Sequence, residues 1–563
     1  MNHPIDFEGI APDIKQTMYD YVAIGSFTDT VHEREVEPFL EQLLASFPYF
    51  QKHPDHCGVY RIPDDHLGRG VVFAMVRGTG ADTVCFVHHY DVVGVEDFKT
   101  LKDVALLPDK LHAALEQTPE MLSEEARSDL ESGEFLFCKG GCDMKAGGAI
   151  QLTLLNEYGK LALEGRFGGN VVLIAVPDEE NLSAGMRGAA TKLAELKQTH
   201  GLQYRLMINS EPHQRREKDI GVFSLGTVGK LMPFVYVRGS MSHVGKVFEG
   251  LNPVLILSEI ERRTELNMDF TDTVDTDETS CECSMPPSWI YMKDSKEVYD
   301  VSMPLNAYGC ISILNLTAGP GEVLKRLRGI CEEAFEDVIK RANDAYHTFL
   351  RRSKRTVTDL PWKPCVSSFA ELLEQAVRAH GESFEALYEA KCRELLSDFR
   401  AAKRSIISCN YELVSFVFDH LDDVSPRAVY GLVPPYYPCV SNLEYEKTDE
   451  TIRALYPFLR NYTKRTFDQD YVKEYFFSGI CDLSYIDMKE PEAVRKSLEE
   501  SMPLFGAFYD IPLADIHAIS MPGINIGPWG KDFHKLSERV LTEDVCNRTP
   551  RILDAAVKYM LHN

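Results

Sequence analysis

Six apolar residues in a row, Val171 to Val176, run into Pro177 and then into three carboxylates, Asp178, Glu179 and Glu180. A continuous Val/Ile/Leu run that stops at a proline is the pattern of a strand buried in a parallel sheet. The carboxylates then lie just past the strand's carboxyl end, where open α/β sheets hold their ligands. Adjacent glutamates there repel each other unless a cation or a proton separates them. One glutamate reads as a metal ligand and its neighbour as a base. A solvated acidic turn is the competing reading, and the rest of the chain decides between them.

At 563 residues the chain is too long for one simple core, so two or more domains are expected. A net charge of −26 argues against nucleic acid or an anionic membrane as the main partner. The first residues, MNHPIDFEGIAPDIK, lack the apolar core of a secretory signal, and no run approaches the roughly 18 apolar residues of a membrane span. Fourteen scattered cysteines read as reduced thiols, which sets the expectation of a cytoplasmic protein. Cys138/Cys142 and Cys281/Cys283 each lack the second pair that a structural zinc site needs.

Taken in order, residues 1 to 50 have helical spacing, and 59 to 77 read as two strands. The β-rich run from Thr83 ends in His88, His89, Tyr90 and Asp91. His89 and Asp91 share one side of an extended backbone, so the aspartate can orient the imidazole, while His88 points the other way. Residues 97 to 135 look like a polar helical insertion. Gly140 and Gly141 then form a turn before Asp143, and a helix follows from Lys145 to Tyr158. Asp143 is either the N-cap of that helix or a ligand beside it. A third short apolar strand ends at Glu211, and His213 beside it reads as an exposed loop residue. Near residue 220 the pattern changes to strand–helix–strand–strand–helix, an α+β unit with Ser242-His243-Val244-Gly245 in a loop. From about 365 the larger domain is expected to resume, with a strand at 404 to 408. His534 and Glu538 are expected at i and i+4 on the first turns of the last helix.

His89, Asp143, Glu180, Glu211 and His534 are thus hard or borderline ligands at strand ends and loops. Two histidines and three carboxylates suit a pair of divalent cations, most simply Zn2+, with Co2+ or Mn2+ as alternatives. One carboxylate can bridge them, and the remaining glutamate can act as base. The motifs HYDVV, GGCDMKAGG, DEEN, SEP, SHVGKVFEGLNP and GPWGKDFH, in this order, resemble the two-zinc amidohydrolases that include aminoacylases, glutamate carboxypeptidases, dipeptidases and succinyl-diaminopimelate desuccinylase. The greater length, PPYYP and IGPWGKDFH are similar to the arginine-utilisation RocB subgroup of that family.

The resemblance implies an α/β fold: a mixed-sheet, phosphorylase/hydrolase-like zinc-peptidase catalytic domain with an inserted α+β sandwich lid. The expected boundaries are 1–217 and 361–563 for the catalytic domain and 218–360 for the lid. It also implies roles. His89 and Glu211 complete one metal site, Glu180 and His534 the other, and Asp143 bridges them. Glu179 is the general base, Asp91 orients the site, and His243 stabilises the oxyanion, in its own chain or across a homodimer formed through the lid. Two departures concern substrate recognition: ISILNLTAG lacks the lid arginine common in the family, and Gly479-Ile480-Cys481-Asp482 replaces a Gly-Thr before a late aspartate. The expected activity is hydrolysis of an amide-type bond in a small amino-acid derivative, with arginine or ornithine catabolism as a narrower reading. The alternative is a non-catalytic binding or regulatory protein that keeps the fold.

Overall fold

The Val171–Val176 run lies in the strand Gly168–Val176, buried from its second residue onward. In this computed structural model, which describes residues 5–215, 220–276 and 280–562, that strand belongs to an eight-stranded mixed sheet. The order across the sheet is Cys57–Arg61, Gly70–Arg77, Gly168–Val176, Thr79–His89, Gln203–Asn209, Gly523–Asn525, Ile220–Ser224 and Asp470–Glu474. Gly168–Val176, Thr79–His89, Gln203–Asn209 and Gly523–Asn525 run parallel, so their carboxyl ends share one edge. Gly70–Arg77 runs antiparallel to Gly168–Val176. Parallel neighbours need crossover connections, and helices supply them.

Two helices cover opposite faces of this sheet. A side chain added at Gly159, in Ala146–Leu163, would meet Val76, and one at Gly188, in Ala184–His200, would meet Val71. Val71 and Val76 are an odd number of positions apart on one strand and point to opposite faces. The polar segment 97 to 135 forms the expected helical insertion and has its own apolar cluster around Phe98, Leu111, Leu115 and Phe135. Among the described residues no helix is long and apolar enough to cross a membrane.

Backbone contacts divide the chain into two units. The first holds residues 1–228, 438–489 and 512–563, with the eight-stranded sheet. The second holds 229–437 and 490–511. Its sheet orders Ser288–Asp294, Asn306–Asn315, Pro233–Arg238, Arg427–Leu432 and Val366–Ser368. The inserted unit is therefore larger than the expected 218–360, and the expected 217/218 boundary falls in residues 216–219, outside the described residues. The reason lies in strand pairing. Arg427–Leu432 pairs residue by residue with Pro233–Arg238, which ties the segment after 360 to the insertion's own sheet. Phe369, Leu372, Tyr411, Val414 and Val417 then pack with Phe234, Tyr236 and Val429 in one core. The strand expected at 404 to 408 is the start of a helix, Ile406–Phe418, whose N-cap Ser405 accepts the Ser408 N–H. Two adjacent isoleucines at a helix start, Ile406 buried and Ile407 partly so, carry no period that separates them from a strand.

Candidate active site

Strand register brings the expected donors to one place. His89 is opposite Val176 and Val87 is opposite Asn209, so His89, the 178–180 turn and Glu211 emerge along the same sheet edge. His88 turns into the core, where Nδ1 meets the Gln151 amide oxygen at 2.9 Å and Nε2 lies 3.2 Å from the Tyr21 hydroxyl. His89 donates from Nδ1 to the Asp91 carbonyl oxygen at 3.0 Å, which leaves Nε2 facing the site.

Asp143 sits at the centre. Its Oδ1 is 3.1 Å from His89 Nε2, and its Oδ2 is 3.0 Å from His534 Nε2. Glu211 Oε1 approaches His89 Nε2 at 3.3 Å, and Glu180 Oε1 approaches His534 Nε2 at 2.8 Å. The two carboxylate oxygens of Asp143 therefore face two different His–Glu pairs. Donor atoms of His89, Asp143 and Glu180 lie within 4.8 Å of one another, as do those of His89, Glu179 and Glu211. Asp143 does not cap the following helix. Its backbone is extended (φ −116°, ψ 96°), and that helix begins at Ala146.

Burial and close approach set the electrostatics of this cluster. Burial, then Asp143, pushes the Glu211 carboxyl up to about 8. Burial holds Glu179 well above the usual range against His89, and Glu180, Asp482 and Glu211 add to it. Burial and Asp143 also raise Glu180. On the other side, Asp143 and Glu180 lift His534 to about 10. Burial opposes the charge on His89, yet Glu211, Asp143 and Asp91 keep that imidazole well above its ordinary value. More carboxylates meet here than two imidazoles can neutralise, and the N and O donors match hard or borderline divalent cations.

Buried groups hold the ligand-bearing turns. The Asp91 carboxylate accepts the N–H of Glu179 (3.0 Å) and of Glu180 (3.3 Å). Asp178 is fully buried, and its Oδ1 takes a 2.7 Å bond from Arg69 Nη1. Arg69 also binds Glu33 and Asp65. Glu33 is pushed up to about 9 by burial and by Asp91, against Arg69. Asp482 is buried, neither of its oxygens is hydrogen-bonded among the described residues, and burial raises it to about 7. Its only sequence signal was the changed motif at 479 to 482.

The placements of His534, Glu538 and His213 differ from expectation. His534 and Glu538 are not on the last helix, Thr549–Met560. His534 has φ 65° in a turn that leads into the strand Arg539–Leu541, where no helical spacing applies. His213 is buried, donates from Nδ1 to the Gly527 carbonyl, and is lowered to about 4 by burial. His243 lies in the second unit, exposed at the N-cap of a short helical turn, where its Nδ1 accepts the Gly245 N–H.

The chain matches the model of Peptidase family M20/M25/M40 over residues 114–494. That span includes Asp143, Glu179, Glu180 and Glu211; His89 and His534 lie outside it and join them through the geometry above. The sequence is 33% identical over 553 residues to "Uncharacterized protein YqjN" of Bacillus subtilis (strain 168), covering 96% of this chain and 95% of the relative. It is 28% identical over 551 residues to "Protein RocB" of the same organism, covering 96% and 94%. The solved structure of human carnosine dipeptidase 1 is similar in fold, with a TM-score of 0.53 at 12% identity, covering 99% of this chain and 98% of that one. With the family model matched over more than half its length, the chain belongs to peptidase family M20/M25/M40 and is a metal-dependent hydrolase.

Proposed function

We propose that this chain hydrolyses an amide-type bond in a small amino-acid derivative, peptide or ureido compound at a two-cation centre. His89 and Glu211 would hold one cation, Glu180 and His534 the other, with Asp143 between them. The single observation behind this reading is that Asp143 offers one oxygen to each imidazole. Zn2+ suits the donor set, and Co2+ or Mn2+ suits it as well. Bound there, two such cations would acidify a water and polarise the substrate carbonyl.

The chain's own groups do the rest. Glu179, in the same cluster as His89 and Glu211, takes a proton from the attacking water and returns it to the departing nitrogen. Asp91 holds the backbone of Glu179 and Glu180 through two N–H bonds, so base and ligand keep their places. His243 is assigned to the oxyanion, from its own chain or from the partner in a homodimer built through the inserted unit. A place in arginine, citrulline or ornithine catabolism rests on the likeness to the RocB subgroup, and a cytoplasmic setting on the cysteine usage.

Glu179→Gln tests the reading. Turnover on a panel of N-acyl amino acids, dipeptides and ureido compounds should fall about 10²- to 10⁴-fold with bound metal unchanged. Turnover within a few-fold of wild type takes Glu179 out of the base role, and a wild type that binds no cation refutes the centre itself.

A further inference from the structure

The two acidic turns of the site are held from behind in the same manner. At residues 178–180 the acceptor is Asp91. At residues 140–143 it is Glu538, whose Oε1 accepts the N–H of Cys142 (3.2 Å) and of Asp143 (3.4 Å). Glu538 is 1% exposed. Among the described residues its other oxygen, Oε2, has no hydrogen bond; it lies 3.8 Å from Lys139 Nζ, which is equally buried and has no hydrogen-bond acceptor among them either. A buried carboxylate is tolerated only with paired charge and donors, and these two N–H groups and this lysine are what Glu538 has.

One loop therefore reaches Asp143 twice. His534 meets its carboxylate, and Glu538, four positions on, holds its peptide. Gly530, in the short strand that leads into this loop, packs so tightly that a side chain there would strike Cys142 Sγ. The turn has no regular backbone of its own to fix Asp143, because Asp143 and Met144 are both non-helical. Without Glu538, two N–H groups at the turn would be buried and unpaired.

We propose that Glu538, with Lys139 as its counter-charge, is a positioning residue. It fixes the Asp143 peptide so that one carboxylate oxygen meets each imidazole, and it thereby sets the affinity of the centre for divalent cations. This rests on the two-cation reading above.

The test uses the full-length protein, stripped of metal and dialysed against Zn2+. Wild type and Asp143→Ala set the scale: uptake by wild type and its loss in Asp143→Ala uphold the centre. No uptake by wild type refutes the centre itself, separately from any effect of Glu538. Glu538→Gln and Glu538→Met are then compared, each combined with Lys139→Met so that no buried lysine is stranded. Glutamine keeps an oxygen for the two N–H groups and methionine does not. Zn2+ affinity should stay within about threefold in the Gln variant and fall about 10- to 100-fold in the Met variant. The visible absorption of bound Co2+ should change in the Met variant and recover with Gln. Equal affinities in the two variants, or equal loss in both, overturn the proposal. Amide exchange in metal-free wild type gives a second measurement that does not depend on a variant folding. The Cys142 and Asp143 amides should be slower than exposed loop amides, and equal rates overturn the proposal.

Discussion

Removing the Arg69 guanidinium would strand charge beneath the acidic turn. Arg69 and Asp178 are 2% and 0% exposed, with 2.7 Å between Nη1 and Oδ1. Nη2 makes a second 2.7 Å bond to Asp65. Glu33, raised to about 9, is the neutral member of the group at pH 7, so two carboxylates share one cation. In Arg69→Met, Asp178 keeps the Ala184 N–H at 2.9 Å and the Asn181 amide at 3.3 Å, and Asp65 keeps the backbone N–H of residue 69. Those bonds do not neutralise a buried charge. Deleting one partner of a buried pair costs about 3–5 kcal/mol, and the upper end applies because two carboxylates lose the same cation. Adding Asp178→Asn removes one stranded charge and should restore at least about 1 kcal/mol. The assay is urea unfolding of metal-free protein at pH 7. Of the three tryptophans only Trp529 lies in the first unit, so its fluorescence in a Trp289→Phe/Trp362→Phe background reports that unit. A loss under about 1 kcal/mol in Arg69→Met, or no recovery on adding Asp178→Asn, would refute the reasoning.

The same cluster predicts a pH dependence. Between its ordinary value of 4.5 and about 9, Glu33 carries a proton in the folded protein that the unfolded chain has lost. Its contribution is complete below 4.5 and drains away as pH rises through 9, with a slope of up to about 1.4 kcal/mol per pH unit. Unfolding midpoints between pH 6 and 9 should fall more steeply in wild type than in Glu33→Gln; parallel profiles exclude the shift. Gly147→Ala would place a Cβ 2.3 Å from the Ser210 carbonyl oxygen, against a strand end that cannot retreat. It should cost about 1–3 kcal/mol and lower kcat by displacing Glu211, measurable by unfolding and steady-state assay. Gly329→Ala is the contrast. A Cβ there meets nothing within 4 Å inside the helix Pro320–Arg352, so the second unit should gain about 0.5–1 kcal/mol in a thermal melt.

The candidate donors were legible because each depends on a few consecutive residues. Val171 to Val176 had to be a buried strand, so Asp178 to Glu180 had to follow a strand end. Alternation along an extended chain separated His89 from His88, and the structure puts the first toward the donors and the second against Gln151. Where a short-range period was absent, the reading failed. His534 and Glu538 looked like helix neighbours and lie in a turn and before a strand. The three residues of Val366–Ser368 hold too little pattern to show that the chain was still inside the inserted unit.

By itself, then, the sequence determined which residues could serve as ligands and on which side of a strand each would stand. Backbone geometry dictates side-chain direction over a few residues whatever the rest of the chain does. Only the tertiary structure decided what holds those residues in place. Arg69 meets Asp178, and Glu538 meets the Asp143 peptide across 395 residues, because two distant stretches pack against one sheet edge. Such pairings leave no period in the sequence, since burial selects them and proximity along the chain does not.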